Sequence, residues 1–203
     1  MHEVGDGDRL NTAAHRSLPT ATLLSSGAIA EPLSSRITTR KILALKALNR
    51  TCAQECVEWA IGQIERGIGT RHVLMLASMT PPFNHFEMSD LRDRALEEVA
   101  AEPMNYADAV KVIAAETAAD AVRGRIDLLS ALHVLNRLCI DEDYPPELND
   151  FYLLYFAWDD LRTSDVQWYW PGATRDNVAA IAEETIQGFV ADARAAGLLD
   201  EST

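Results

Sequence analysis

Asp159, Asp160 and Asp165 are the residues of this chain whose types and spacing come nearest to doing chemistry. Two adjacent carboxylates with a third close behind could share a divalent cation, or present a negative surface to a basic partner. They are set among large rings. From Tyr144 to Trp170 the chain holds nine of its fourteen aromatic residues and three of its four tryptophans. Trp168 and Trp170 beside these carboxylates have the composition of a protein-binding anchor, in which buried rings carry the affinity. The competing reading is that the rings plug the end of a helical bundle, with their polar tips reaching partners.

The thiols and imidazoles make weaker constellations. Cys52 and Cys56 are four apart and would share a helical face. They hold a metal only if two more donors arrive, for which Cys139 and His133 are remote candidates. The paired C-x-x-C motifs of zinc sites are missing. All three cysteines fall on apolar stripes, where a free thiol is a small buried group. His2, His15, His72, His85 and His133 form no H-E-x-x-H arrangement. Asp141-Glu142-Asp143 is too compact for a calcium loop. Gly62, Gly67 and Gly69 match no phosphate-loop spacing, and no G-x-S-x-G elbow occurs. No metal, cofactor or catalytic residue is assigned from these patterns.

The stretch Trp158-Asp159-Asp160-Leu161-Arg162-Thr163-Ser164-Asp165 loosely resembles the magnesium-binding motif of class I terpene synthases. That resemblance implies carboxylates holding metal ions on a diphosphate, and so a metal-dependent enzyme acting on a phosphate-bearing substrate. It covers eight residues of 203. The third Asp lies further from the pair than in that family, and the segment 177–185 lacks the serine of its second metal motif. In broad character (acidic, alanine-rich, helical, without a catalytic motif) the chain is similar to bacterial immunity or inhibitor proteins. That likeness implies a non-enzymatic module that neutralises a basic protein partner.

The elements that must position these residues are helices. Residues 1–35 are rich in Ser, Thr, Ala and Gly, contain Pro19 and Pro32, and lack helical periodicity, so a flexible N-terminal extension is expected there. A helical domain is expected over 36–203. Ile42, Leu45, Leu48, Cys52, Cys56 and Trp59 recur at helical spacing, in one long helix or in two meeting near Asn49-Arg50-Thr51, with a stop at Gly67. Val73 to Met79 is taken as helix from its surroundings. Asn84 with Glu87 marks the next start, and Asn105 with Asp108 the one after. Leu128, Leu132, Leu135 and Cys139 stripe a helix beginning near Arg125. Pro146 opens a helix carrying Phe151, Tyr155 and Trp158, and Thr174 caps a last one with Val178, Ile181, Thr185 and Phe189 inward. The result is an all-α single domain of about seven helices in antiparallel hairpins, a bundle or a short solenoid-like array. Val166 to Trp170 is not expected to be a free loop, because three rings in water would form an exposed apolar patch.

Charge narrows the partners. Residues 1–70 carry a net +1 and residues 71–203 a net −14. That field repels nucleic-acid backbones and acidic lipid and speeds encounter with a basic protein. The segment 35–50, with five Lys and Arg and no acid, is a solvent face of the first helix or pairs with the acidic remainder, within the chain or in a homodimer serving as a scaffold. The odd cysteine count and the lack of a signal-peptide pattern or a membrane-length apolar run point to a cytoplasmic protein. The contact surface is expected at Asp159, Asp160, Asp165, Trp168 and Trp170.

Overall fold

The computed structural model describes residues 37–199; the expected N-terminal extension lies outside them. Among the described residues the protein is all-α, with eight α-helices, one 3-10 turn and no strand. They are α1 (Thr39–Ala47), α2 (Ala53–Glu65), α3 (Arg71–Ala77), α4 (His85–Glu98), α5 (Tyr106–Val122), α6 (Leu128–Asp141), α7 (Asn149–Thr163) and α8 (Val178–Ala195), with the 3-10 turn at Pro146–Leu148. No helix among the described residues is long and apolar enough to cross a membrane.

Local chemistry sets the boundaries. The Thr38 hydroxyl accepts the Lys41 N–H at 3.0 Å and starts α1. Asn49, at φ +51°, ends it, and the Asn49 and Arg50 N–H groups turn back to Lys46 and Leu45. An asparagine in the left-handed region is a common helix stop, and it resolves the Thr38–Gly67 stretch into two helices. Gly67, at φ +83°, closes α2 in the same way, with the Ile68 N–H bonded to the Gln63 carbonyl at 2.9 Å. Asn84 and Asn105 cap α4 and α5 through their side-chain oxygens, as the sequence indicated. Asp127 caps α6 through the Ser130 N–H, two residues beyond the expected start at Arg125.

Consecutive helices pack on one another: α2 on α3, α3 on α4, α5 on α6, α6 on α7 and α7 on α8. Helix α5 is the shared partner, touching α1 and α8 as well as α6. Its sequence explains this position. Ala109, Ala114, Ala115, Ala118 and Ala119 are all fully buried and interleaved with Val110, Val112 and Ile113, so the helix is apolar almost all round and its backbone can be approached closely from several sides. Tyr106, in its first turn, is exposed. Trp59 is fully buried, and its indole N–H donates to Thr39 Oγ1 at 3.0 Å, which ties α2 to α1.

One expected boundary is wrong. Thr174 does not cap α8. The Asn177 carbonyl oxygen accepts the Thr174 N–H at 2.7 Å while its NH₂ donates to the Gly172 carbonyl at 3.0 Å, so residues 172–177 form a turn and α8 starts at Val178. The buried stripe is accordingly Val178, Ala182, Ile186, Val190 and Ala193, and Ile181, Thr185 and Phe189 are half-buried at its border.

Candidate functional site

Helix α7 and the loop after it carry the candidate surface. Of the α7 rings only Phe151 is fully buried, and it meets Phe189 of α8 edge-on at 5.0 Å. Tyr152, Tyr155, Phe156 and Trp158 are half-buried. Tyr152, Tyr155 and Phe156 join a run of ring contacts. Tyr144 packs edge-on to Tyr152 at 5.5 Å, Tyr152 to Phe156 at 5.0 Å, and Phe156 lies tilted against Tyr169 at 5.3 Å. Tyr155 stands edge-on to Phe156 and shares a 3.1 Å hydrogen bond with His133. These are the geometries that aromatic quadrupoles favour. A ladder of partly exposed rings thus runs from the α6 end, along α7, to the loop beyond.

That loop is held by one side chain. The Gln167 carbonyl oxygen accepts the N–H groups of Tyr169 and Trp170, both at 2.8 Å. Its NH₂ donates to the carbonyls of Trp170 at 2.5 Å and Ala173 at 3.2 Å. Arg175 adds a clamp, with Nε bonded to the Leu161 carbonyl at 2.7 Å and 3.2 Å from the Asp165 carboxylate. Gly172 sits at φ +81°, a conformation suited to glycine in the Pro171-Gly172 turn.

The expected contact residues separate within this frame. Trp168 is 88% exposed. Trp170 is half-buried against the small cluster of Leu161, Ala173 and Val178. The expectation that Val166 to Trp170 avoids a free apolar surface is thus met by Trp170 and overturned at Val166, Trp168 and Tyr169, which are all exposed. Asp159 is exposed and lies 3.6 Å from Arg162 one helical turn on. Asp160 is half-buried at the end of α7, where its carbonyl accepts the Ser164 N–H at 2.8 Å. Asp165 faces its own arginine, as above. The Asp159 and Asp165 carboxylates therefore answer separate arginines, and no group of three or more His, Cys, Asp or Glu among the described residues is placed to hold a metal ion.

The chain matches no family model, no curated protein and no solved structure.

The basic segment is used within the chain. Lys46 pairs with Asp93 at 3.1 Å, and Arg50 reaches Glu142 at 2.8 Å and Asp141 at 3.7 Å. Glu142 also accepts the Tyr106 hydroxyl. The three cysteines are buried, as their stripes indicated. What the sequence did not show is that Cys52 and Cys56 touch, or that Arg92 from α4 reaches the first of them. The organising role of Gln167 was also missed. A lone glutamine between aromatic residues gives no signal until its four backbone partners are in place.

Proposed function

We propose that this protein is a docking module for a basic protein segment, and that the segment lies along the ring ladder with Trp168 as its anchor. The observation that carries this reading is the continuous run of partly exposed rings, Tyr144–Tyr152–Phe156–Tyr169, with the 88% exposed Trp168 next to its end. Ring faces attract arginine and lysine, most strongly where water is displaced. Carboxylates stand at both ends of the run, Asp141 and Asp143 before it and Asp159, Asp160 and Asp165 after it, within a region of net −14. A basic peptide would meet complementary charge at the rim and aromatic area at the centre, which is how specific interfaces divide affinity and steering. An immunity- or inhibitor-type role, in which the acidic module neutralises a basic partner, is the form of this function closest to the chain's character.

Titration with an array of arginine- and lysine-rich peptides, read by tryptophan fluorescence, tests the proposal. Binding is expected to weaken with salt and to fall about tenfold in Trp168→Ala, a loss of ~1.4 kcal/mol. Asp160→Ala should slow association and reduce the salt dependence. Equal binding of acidic and basic peptides, or unchanged affinity in a folded Trp168→Ala variant, would remove this surface from consideration.

A further inference from the structure

Cys52 stands at the N-cap of α2, and Cys56 lies one turn further in, with its N–H on the Cys52 carbonyl at 2.9 Å. Their sulfurs are already 3.4 Å apart. Arg92 Nη1 lies 3.8 Å from Cys52 Sγ. Both thiols border a cavity of about 290 Å³ that Phe83, Met88 and Ala53 line with apolar surface and Arg92 and His85 with polar atoms.

We infer that Cys52 and Cys56 are a redox-active dithiol, Cys52 attacking and Cys56 resolving, whose cavity admits a small, largely apolar hydroperoxide. The burial of both sulfurs, 5% and 1% exposed by residue, decides the size of the oxidant. A disulfide on another protein could not reach them, whereas a small molecule entering the cavity could. The reaction balances with the hydroperoxide as sole oxidant. The Cys52 thiolate attacks the outer peroxide oxygen, an S–O bond forms, the O–O bond breaks, and the alkoxide leaves as the alcohol after taking a proton. Cys56 then attacks the sulfenic sulfur, the S–S bond forms, and water departs with the thiol proton. Two thiols and ROOH give one disulfide, ROH and water.

Three features favour this order of attack. The Cys56 thiol lies in hydrogen-bond contact with the Cys52 sulfur, and Arg92 stands beside it. These outweigh burial and the Glu55 charge, and hold the Cys52 thiol down at about 7. A helix N-terminus acts in the same direction. Cys56 is pushed upward by the same hydrogen bond, by burial and by its charged neighbour, so it stays protonated until needed. Arg92 can also stabilise the charge developing on the leaving oxygen, and Phe83 and Met88 can seat its organic group.

The magnitude is modest. A thiol titrating near 7 is half thiolate at neutral pH, against about one part in a hundred for one near 9. The lower nucleophilicity of the more acidic thiolate takes back about eightfold of that ~50-fold gain. About a fivefold net advantage remains over an ordinary thiol. Cys139, buried and shifted upward, is the internal reference.

The test treats the reduced full-length protein with one equivalent of cumene hydroperoxide, followed by non-reducing peptide mapping at timed quenches. The Cys52–Cys56 disulfide should appear first, at least fivefold ahead of any Cys139 oxidation, with a rate that levels off above pH 7 to 8. Dithiothreitol should restore both thiols. Cys56→Ser should stop at a Cys52 sulfenic acid that dimedone traps. Oxidation of all three cysteines at one rate, or a pH profile still climbing at pH 9, would show that the pair is only core packing. Because the map is made on the unaltered chain, it decides the matter even where the variant misfolds.

Discussion

Gln167→Ala isolates the device that presents Trp168. The side chain makes two bonds as acceptor and two as donor to the backbone of residues 169, 170 and 173. Two N–H groups on one atom and two carbonyls on the other fix the amide orientation. Each such bond contributes about 0.5–1.5 kcal/mol net. Four would give ~4 kcal/mol if no water could replace them, but the loop is partly exposed, and ~2 kcal/mol is the better figure. Because ~1.4 kcal/mol corresponds to a factor of ten, amide exchange at Tyr169 and Trp170 should accelerate about 30-fold while α5 and α6 keep their protection. Gln167→Glu sharpens the test. It keeps the acceptor oxygen but sets a second oxygen against the carbonyls of Trp170 and Ala173. At pH 7 it should therefore open the loop more than alanine does, and a protonated glutamic acid at low pH should recover part of the protection. Hydrogen exchange read by mass spectrometry follows all three proteins. Exchange in Gln167→Ala within threefold of the parent, or a Glu variant better protected than Ala at pH 7, would refute the argument.

Two further outcomes follow from burial and from the thiols. Phe151→Ala, which empties a fully buried site against Phe189, should lower unfolding stability by ~3–5 kcal/mol, whereas Trp168→Ala should stay within ~0.5 kcal/mol, both read from denaturant midpoints. With Cys52 titrating near 7 in the fold against an ordinary value near 9, and Cys56 shifted upward, the folded pair holds one proton where the unfolded pair first holds two and then none. Under reducing conditions the pair should therefore add stability from about pH 7 to 9, by at most ~1.4 kcal/mol per pH unit, and subtract it above; a Cys52→Ser curve that runs parallel to the parent across that range would contradict the shift.

The helices were legible because their signals are local. Asn84, Asn105 and Gly67 act on nearby backbone groups, and the spacing of apolar residues reports a face without knowing what covers it. The failures share the opposite character. The number of covered faces of α5 could not be read from alanines, which fit equally a buried helix and an exposed one. The start of α8 was misplaced because threonine at 174 is a good cap in general, while Asn177 folding back on Gly172 is a choice made by one particular turn. At the candidate site, Trp168 and Trp170 have the same type and almost the same position, yet one is exposed and the other packed. What distinguishes them is that Trp170 packs on Leu161, Ala173 and Val178, residues distant in sequence or beyond the turn. Arg92 reaches Cys52 across forty residues of sequence, a contact that no periodicity encodes.

The distribution of charge follows from how the first helix is held. From Asp141 to Asn177 the sequence has nine acidic residues and two basic ones. Arg162 and Arg175 answer Asp159 and Asp165 within that stretch, and Arg175 is also tied to the Leu161 carbonyl. From outside it, Lys111 of α5 reaches Glu147 at 3.7 Å and Arg137 of α6 reaches Asp141 at 3.3 Å, while cations of α1 and its end serve the fold. Lys46 bridges α1 to α4 through Asp93, and Arg50 is fixed on Glu142, whose side chain is only 6% exposed. Arg50 cannot be withdrawn from that pair cheaply, because it would leave a nearly buried carboxylate without its cation, a loss far larger than that of a surface pair. The architecture therefore commits its basic residues to joining helices and leaves the face around the ring ladder with surplus negative charge. Surplus of one sign beside exposed rings is destabilising to the free protein through self-repulsion. A basic partner would relieve that repulsion and cover Trp168 in the same step, and this joint effect is why charge and rings together favour a docking role more strongly than either does alone.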